Sequence, residues 1–339
     1  MAGAAIPAGP PSAVVLPPRE RVSGWPLSDR LCYWLCWTTG ICLCLIAIGI
    51  VLYMFVKGLS YLSPSLLVSS PAPSIHQGQS GGFEDPLIGS FVLTAVGIVI
   101  AAPLGVSIAT WLSEYRRPAW LARAVESAIE MLAGVPSIVL ALFGLLIFSQ
   151  SVLSFLSQGT ARGSLGQSFF AAGAIMSLIA LPLVVGATRE ALQQLPDRLR
   201  EASYALGKTR TTTTRHVLLP AIKPGIARGI VLGMGRIVGD TAIIGILLGG
   251  SAQLNEPVGH TPIFSFLRGT GSTLTSYVYY DSPAGEGNAH EKAYAAAFVL
   301  LMIVLVLNAI VTRLSRASSG TQRRRSSISK LWRVQSSRP

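Results

Sequence analysis

Residues 189–220 read REALQQLPDRLREASYALGKTRTTTTRHVLLP, and how this stretch is read decides the fold. It is too polar to lie inside a membrane, yet its pattern is helical. Pro196 and Asp197 form a helix start, the apolar residues Leu199, Ala202, Tyr204, Ala205 and Leu206 follow, and Gly207 is placed to end the helix. A second short element runs to Leu218, Leu219 and Pro220, where proline stops it. The unit is amphipathic and basic, and long apolar segments bound it on both sides.

Those segments set the class. Half of the 339 residues are hydrophobic and 12% are charged, against about 25% in an ordinary soluble domain. That composition rules out a disordered chain and argues against a water-soluble enzyme. A spanning helix needs roughly 20 mostly apolar residues, because lipid satisfies no backbone polar group. Six segments qualify: about Leu31–Val56, Leu87–Leu112, Val125–Gln150, Phe169–Ala187, Ile226–Gly249 and Ala293–Leu314. The expectation is an all-α polytopic membrane protein, with residues 1–30 a disordered N-terminus, 31–314 the membrane domain, 189–223 its long cytoplasmic loop and 315–339 a disordered basic tail. The first apolar run is too long and too far from the start for a cleaved signal and stays as an anchor.

The net charge of +12 is lopsided. With the N-terminus inside, alternate segments hold twenty-one Lys and Arg on the cytoplasmic side and four outside (Lys57, Arg162, Arg268 and Lys292). Retention of basic residues inside accounts for that asymmetry, places both termini in the cytoplasm of a cell-membrane protein and leaves nucleic-acid binding unnecessary. Cys32, Cys36, Cys42 and Cys44 share one apolar stretch with no His or acidic neighbour, so they read as packing residues, with no metal site.

Within the opening stretch, Glu201, Ala202 and Ser203, then three residues, Gly207, then nine residues, Val217, one residue, Leu219 and Pro220, resemble the cytoplasmic signature of binding-protein-dependent ABC importer permeases, E-A-A, G, I, L-P at that spacing. Ser203 replaces the second Ala and Val217 the Ile. The resemblance implies the six-helix type I importer permease fold, and a coupling helix seated on a separate ATPase subunit. A small-residue face of Ala202, Ser203 and Ala205 would permit that close approach. Gly207, Lys208 and Thr209 look like the end of a phosphate-cradling loop, but Ala202 stands where the first Gly is required and no strand precedes it. The chain is therefore expected to hydrolyse no ATP and bind no cofactor, ATP and Mg²⁺ being used by the partner.

Gly81–Tyr115, Leu132–Gly144 and Arg189–Gly207 resemble phosphate importer permeases, the A subunit more than the C, with weaker support from Tyr277–Pro283 and Ala293–Asn308. Arg236 stands about ten residues into the fifth span, hence ~15 Å deep, where a charge faces the bundle interior and is a functional candidate. Asp240 at i+4 has the sign to pair with it. Arg236 to Ile243 resembles the family segment R-x-x-G-E-T-A-P, with Asp240 for Glu and Ile243 for Pro, the latter removing an expected kink. The resemblance adds Thr241 to the pathway, and Arg228, two turns nearer the cytoplasm, is an exit contact or a snorkelling residue. Glu126 and Glu130 read as helix-start residues of the third span, and Pro103, Pro136 and Pro182 as bends. The run Thr211–Thr214 has no evident reason in the sequence.

The resemblance thus implies a permease subunit of an ATP-driven phosphate importer, paired as a heterodimer with a second permease and docked on a cytoplasmic ATPase dimer. An extracytoplasmic phosphate-binding protein would feed loops 57–86, 151–168 and 251–292. The alternatives are an ABC permease for molybdate, sulfate or an amino acid, a secondary transporter or channel working alone, and a non-transporting phosphate-sensing scaffold.

Overall fold

A computed structural model describes residues 26–71, 81–156, 159–160, 163–164, 166–248, 266–281, 290–310 and 313. The readings of residues 1–25 and 315–339 as disordered, and parts of the proposed outer loops, lie outside them. Two compact units divide at Tyr53 and Met54. The first is the leading part of α1 (Leu27–Tyr61), which begins four residues earlier than the apolar pattern proposed. At 1.5 Å per residue α1 is about 52 Å long, and its apolar side chains lie exposed all round, as in a helix whose solvent is lipid. Its four cysteines are exposed along the helix and are not buried within the described chain.

The second unit is built on three helices, α3 (Glu84–Thr110), α6 (Phe169–Gln193) and α10 (Lys223–Val238). α2 (Pro64–Val68) precedes them, α4 (Ala119–Gly134), α5 (Ser137–Phe148), α7 (Arg198–Ala205), α8 (Arg210–Thr213) and α9 (Leu219–Ala221) stand between them in the chain, and α11 (Ala242–Leu247), α12 (Leu274–Asp281) and α13 (His290–Ile310) follow. Among the described residues, β pairing is confined to a two-residue antiparallel ladder, Gly159–Thr160 with Gly163–Ser164, and an isolated antiparallel bridge between Pro71 and Gly81.

Small residues bring the three central helices together, since between lipid-facing helices close packing must do what the hydrophobic effect does in water. A Cβ on Gly173 would strike Val96 of α3, and one on Gly229 would lie 3.2 Å from the Val184 backbone of α6. Ser168 caps α6 by accepting from the Ala171 N–H at 3.0 Å. Beside α6, α5 and α11 bury Leu140, Ile175, Ile243, Ile244 and Leu247 in one apolar cluster. Phe55, at the end of α1 and within the second unit, meets Phe298 of α13 edge to face at 5.4 Å.

Among the described residues, four helices are continuous and long enough to cross a membrane: Leu27–Tyr61, Glu84–Tyr115, Phe169–Gln193 and His290–Ile310. The third and fifth expected spans are not single helices. The third is α4 and α5, bent by 107° at Val135 and Pro136. Pro136 has no N–H to continue α4, whereas α3 and α6 run unbroken through Pro103 and Pro182. The fifth is α10 and α11 with Gly239, Asp240 and Thr241 between them, and α10 is itself bent by 68° from the Arg210–Ala221 segment. Glu126 stands well inside α4 rather than at a helix start. It pairs with Arg189 of α6, and with Arg116 at 3.5 Å.

Candidate functional site

The chemistry-bearing residues fall into two places, the α7–α9 unit and the break after α10. In the first, α7 ends as its sequence requires. Gly207 has φ +72°, a left-handed conformation that costs other residues about 1–2 kcal/mol. The Gly207 N–H donates to the Tyr204 carbonyl at 2.9 Å and the Lys208 N–H to the Ser203 carbonyl at 3.2 Å, the paired closure of a Schellman motif. Asp197 precedes α7 but makes no side-chain cap; it accepts from Arg200 instead.

Ser203 is buried and its hydroxyl lies 2.8 Å from that of Thr213. A hydroxyl in place of the signature's second Ala is therefore matched from across the turn. It also separates Ser203 from Ala202 and Ala205, which are exposed, so the three do not form one face. The threonine run acquires a reason. Thr209 caps α8 by accepting from the Thr212 N–H at 3.3 Å, Thr214 donates to the Arg210 carbonyl at 2.9 Å, and Thr211 accepts from Tyr115 at 3.3 Å. The chain then widens to an i→i+5 turn over Thr214–Leu218, closed by the Leu219 N–H on the Thr214 carbonyl. Val217 and Leu219 are half-buried and Pro220 is exposed, while the anchor is their neighbour Leu218, buried with Leu192 and Ile222. Glu201, Ala202, Tyr204 and Leu206 are left exposed on the outer side, Leu206 at 79%.

A residue that the sequence did not single out ties this unit down. Arg200 donates to Oε1 of Glu114 through Nη2 at 2.9 Å and Nε at 3.3 Å, to the Leu192 carbonyl at 3.2 Å, and to Asp197 at 3.0 Å. The hydrogen bond to Glu114 holds the Arg200 pKa above its ordinary value against the opposing effect of burial, so the guanidinium stays cationic. Glu114, 4% exposed, lies in an i→i+5 turn at Trp111–Tyr115 that ends α3.

At the second place, Arg236 and Asp240 are brought together but not on one continuous helix. Helix α10 ends at Val238, two residues after Arg236. The Asp240 carboxylate is buried, and its Oδ1 accepts the Ile243 N–H at 3.2 Å, so it caps α11. Its Oδ2 lies 3.8 Å from Nη2 of Arg236, whose side chain is 51% exposed. The break needs no proline, because Asp240 stabilises it through an N–H that proline would lack. The two departures from the family segment, Asp240 and Ile243, thus fit each other. Thr241 adjoins Asp240 but makes no side-chain cap. The α10 carbonyl left free at Val238 is satisfied by the Thr275 hydroxyl at 2.5 Å.

Arg228, Leu232, Gly235, Arg236 and Gly239 are all exposed and follow one side of α10. Gly225, Gly229 and Gly233 on the other side press against α6. Arg228 lines a cavity of about 670 Å³ with Gln194, Leu195, Pro224 and Val231. An open helix face bearing two arginines is costly against lipid and suited to water and anions. No group of three or more metal-ligating side chains occurs among the described residues.

Residues 86–320 match the family described as the binding-protein-dependent transport system inner membrane component. The phosphate transport system permease protein PstA 1 of Mycobacterium tuberculosis (strain CDC 1551 / Oshkosh) is 35% identical over 229 residues, 68% of this chain and 69% of that protein. The phosphate transport system permease protein PstA of Haemophilus influenzae is 31% identical over 287 residues, 83% of this chain and 87% of that one. Among solved structures, a bacterial alginate ABC transporter shares the fold with a TM-score of 0.58 at 18% identity, over 86% of this chain and 95% of that one. The chain belongs to the binding-protein-dependent inner membrane component family of ABC importers.

Proposed function

We propose, from that membership, that the chain is a membrane-spanning subunit of an ATP-driven importer of inorganic phosphate and lines its translocation pathway. The observation that carries the reading is the half-exposed Arg236 at the break of α10, in a chain similar over most of its length to proteins named phosphate permeases. Arginine suits the task because its planar fork offers bidentate hydrogen bonds to phosphate oxygens and it stays protonated away from water. At 3.8 Å, Asp240 neutralises Arg236 only loosely while its other oxygen is engaged by Ile243, so a passing anion can take over the guanidinium. Arg228 is the second cation along the same open face, and Thr241 offers a hydroxyl beside the break.

The α7–α9 unit is the docking surface for an ATPase subunit. Glu201, Ala202, Tyr204 and Leu206 meet the partner, and Gly207, Val217, Leu219 and Pro220 shape the turn that presents them. ATP and Mg²⁺ act on the ATPase dimer and not on this chain, whose Gly207–Lys208–Thr209 segment lacks the rest of a nucleotide loop. Closure of the dimer pulls the unit and exposes the pathway alternately to each side. A second permease subunit covers the open face of α10, a phosphate-binding protein delivers the anion from outside, and both termini lie in the cytoplasm, where the basic residues accumulate.

Uptake of radiolabelled phosphate by cells lacking their own importers, expressing this chain with its ATPase, permease and binding-protein partners, tests the reading. Uptake that needs the ATPase and resists excess sulfate and molybdate is expected. Uptake abolished by either competitor would reassign the substrate, and uptake without the ATPase would refute the ABC reading.

A further inference from the structure

We propose that the Arg200–Glu114 ion pair is the link through which movement of α7 reaches the membrane core, by way of α3 rather than only through the chain that joins α9 to α10. The proposal rests on the reading of α7–α9 as the ATPase-docking unit. Three side-chain links run from α7 and α8 to the turn Trp111–Tyr115: Arg200 to Glu114, Thr211 to Tyr115, and Arg210 over the Tyr115 ring at 5.4 Å from its centroid. The last two are exposed, and such contacts hold weakly.

The first is different in kind. Glu114 is buried, and a buried carboxylate left without its cation is strongly disfavoured. Arg200 supplies two N–H groups to one Glu114 oxygen and spends its others on the Leu192 and Leu195 carbonyls and on Asp197. Parting the two elements would strand that charge, so α7 carries the end of α3 with it. From there the route is continuous. α3 is packed on α6 through Gly173 and Val96, and Gly97 of α3 faces Ile237 of α10 so closely that a Cβ would lie 2.7 Å from the Ile237 side chain. Ile237 adjoins Arg236. The wide turn at Trp111–Tyr115 is the kind of helix irregularity that recurs at functional sites, and it sets Glu114 where α7 can reach it.

The test uses the full complex in proteoliposomes, with Arg200→Met, Glu114→Gln, the double variant and Arg200→Lys. Phosphate transported per ATP hydrolysed and co-purification of the ATPase subunit are measured together. The ATPase subunit should co-purify as with the wild type, while the phosphate-to-ATP ratio falls about tenfold in Arg200→Met, within the usual range of site-to-site coupling. The double variant should cost no more than the worse single one, because both remove the same link. Arg200→Lys should recover most of the ratio. An unchanged ratio in both single variants would overturn the proposal. So would loss of the ATPase subunit from them, since the pair would then only build the docking unit. Failure of the underlying reading is distinguishable: the wild-type complex itself would not couple ATP to phosphate.

Discussion

The α7–α9 unit and the break after α10 are both short interruptions between helices, but their polar groups are used in opposite ways. In the unit, the hydroxyls of Ser203 and Thr213 meet each other, both backbone groups that close α7 are paired, and Arg200 is bonded to four partners. At the break, Asp240 is held by Ile243 while Arg236, half exposed, has an ion pair at the outer limit of reach. A segment that transmits force has to be saturated with internal bonds. One that receives a charged substrate has to keep a cation incompletely satisfied. The contrast is what the proposed roles, docking at the first region and anion passage at the second, would require.

Variants can break the contrast from either side. The largest effect is expected of Asp240→Ala, which frees Arg236 and leaves the Ile243 N–H unpaired. A loss of about 1–3 kcal/mol is expected for stranding groups of this kind, read as a fall in folded yield and thermal midpoint together with loss of transport. Next comes Gly207→Val. A β-branched residue in the left-handed region costs about 1–2 kcal/mol, so ATPase co-purification should fall about tenfold while the membrane helices stay folded by circular dichroism. Ile243→Pro removes the N–H that holds Asp240, worth about 1 kcal/mol, and should lower uptake severalfold without affecting ATPase binding. The smallest effect is that of Arg228→Gln. An exposed cation along a wet path contributes about 1 kcal/mol or less, so uptake should weaken a fewfold and lose part of its salt dependence.

The regions also differ in how far the sequence revealed them. Gly207 as a helix end follows from local backbone rules, and α7 does close there, whereas the spacing from Glu201 to Pro220 is legible only as a resemblance. The four continuous spans follow from apolar length. Breaks do not, because hydropathy registers how apolar a segment is and not whether its hydrogen-bond ladder continues. The residues from Val125 to Gln150 and from Ile226 to Gly249 therefore read as single spans although Pro136 and the cap made by Asp240 divide them. Ile243 was legible as a missing proline, but its N–H bond to Asp240 was not. Arg200 and Glu114 are 86 positions apart, and no local pattern joins them. The pairing of Ser203 with Thr213, which gives the threonine run part of its purpose, likewise appears only once the turn is folded.

Everything proposed for the break after α10 depends on phosphate passing Arg236. The most direct test of that step is transport of radiolabelled phosphate by the reconstituted complex carrying Arg236→Ala, beside the wild type and with ATPase assembly verified. The expected result is an assembled complex whose phosphate transport falls at least about tenfold, as when a charge-assisted contact of about 1.5–3 kcal/mol is lost. Wild-type transport by the assembled Arg236→Ala complex would contradict it.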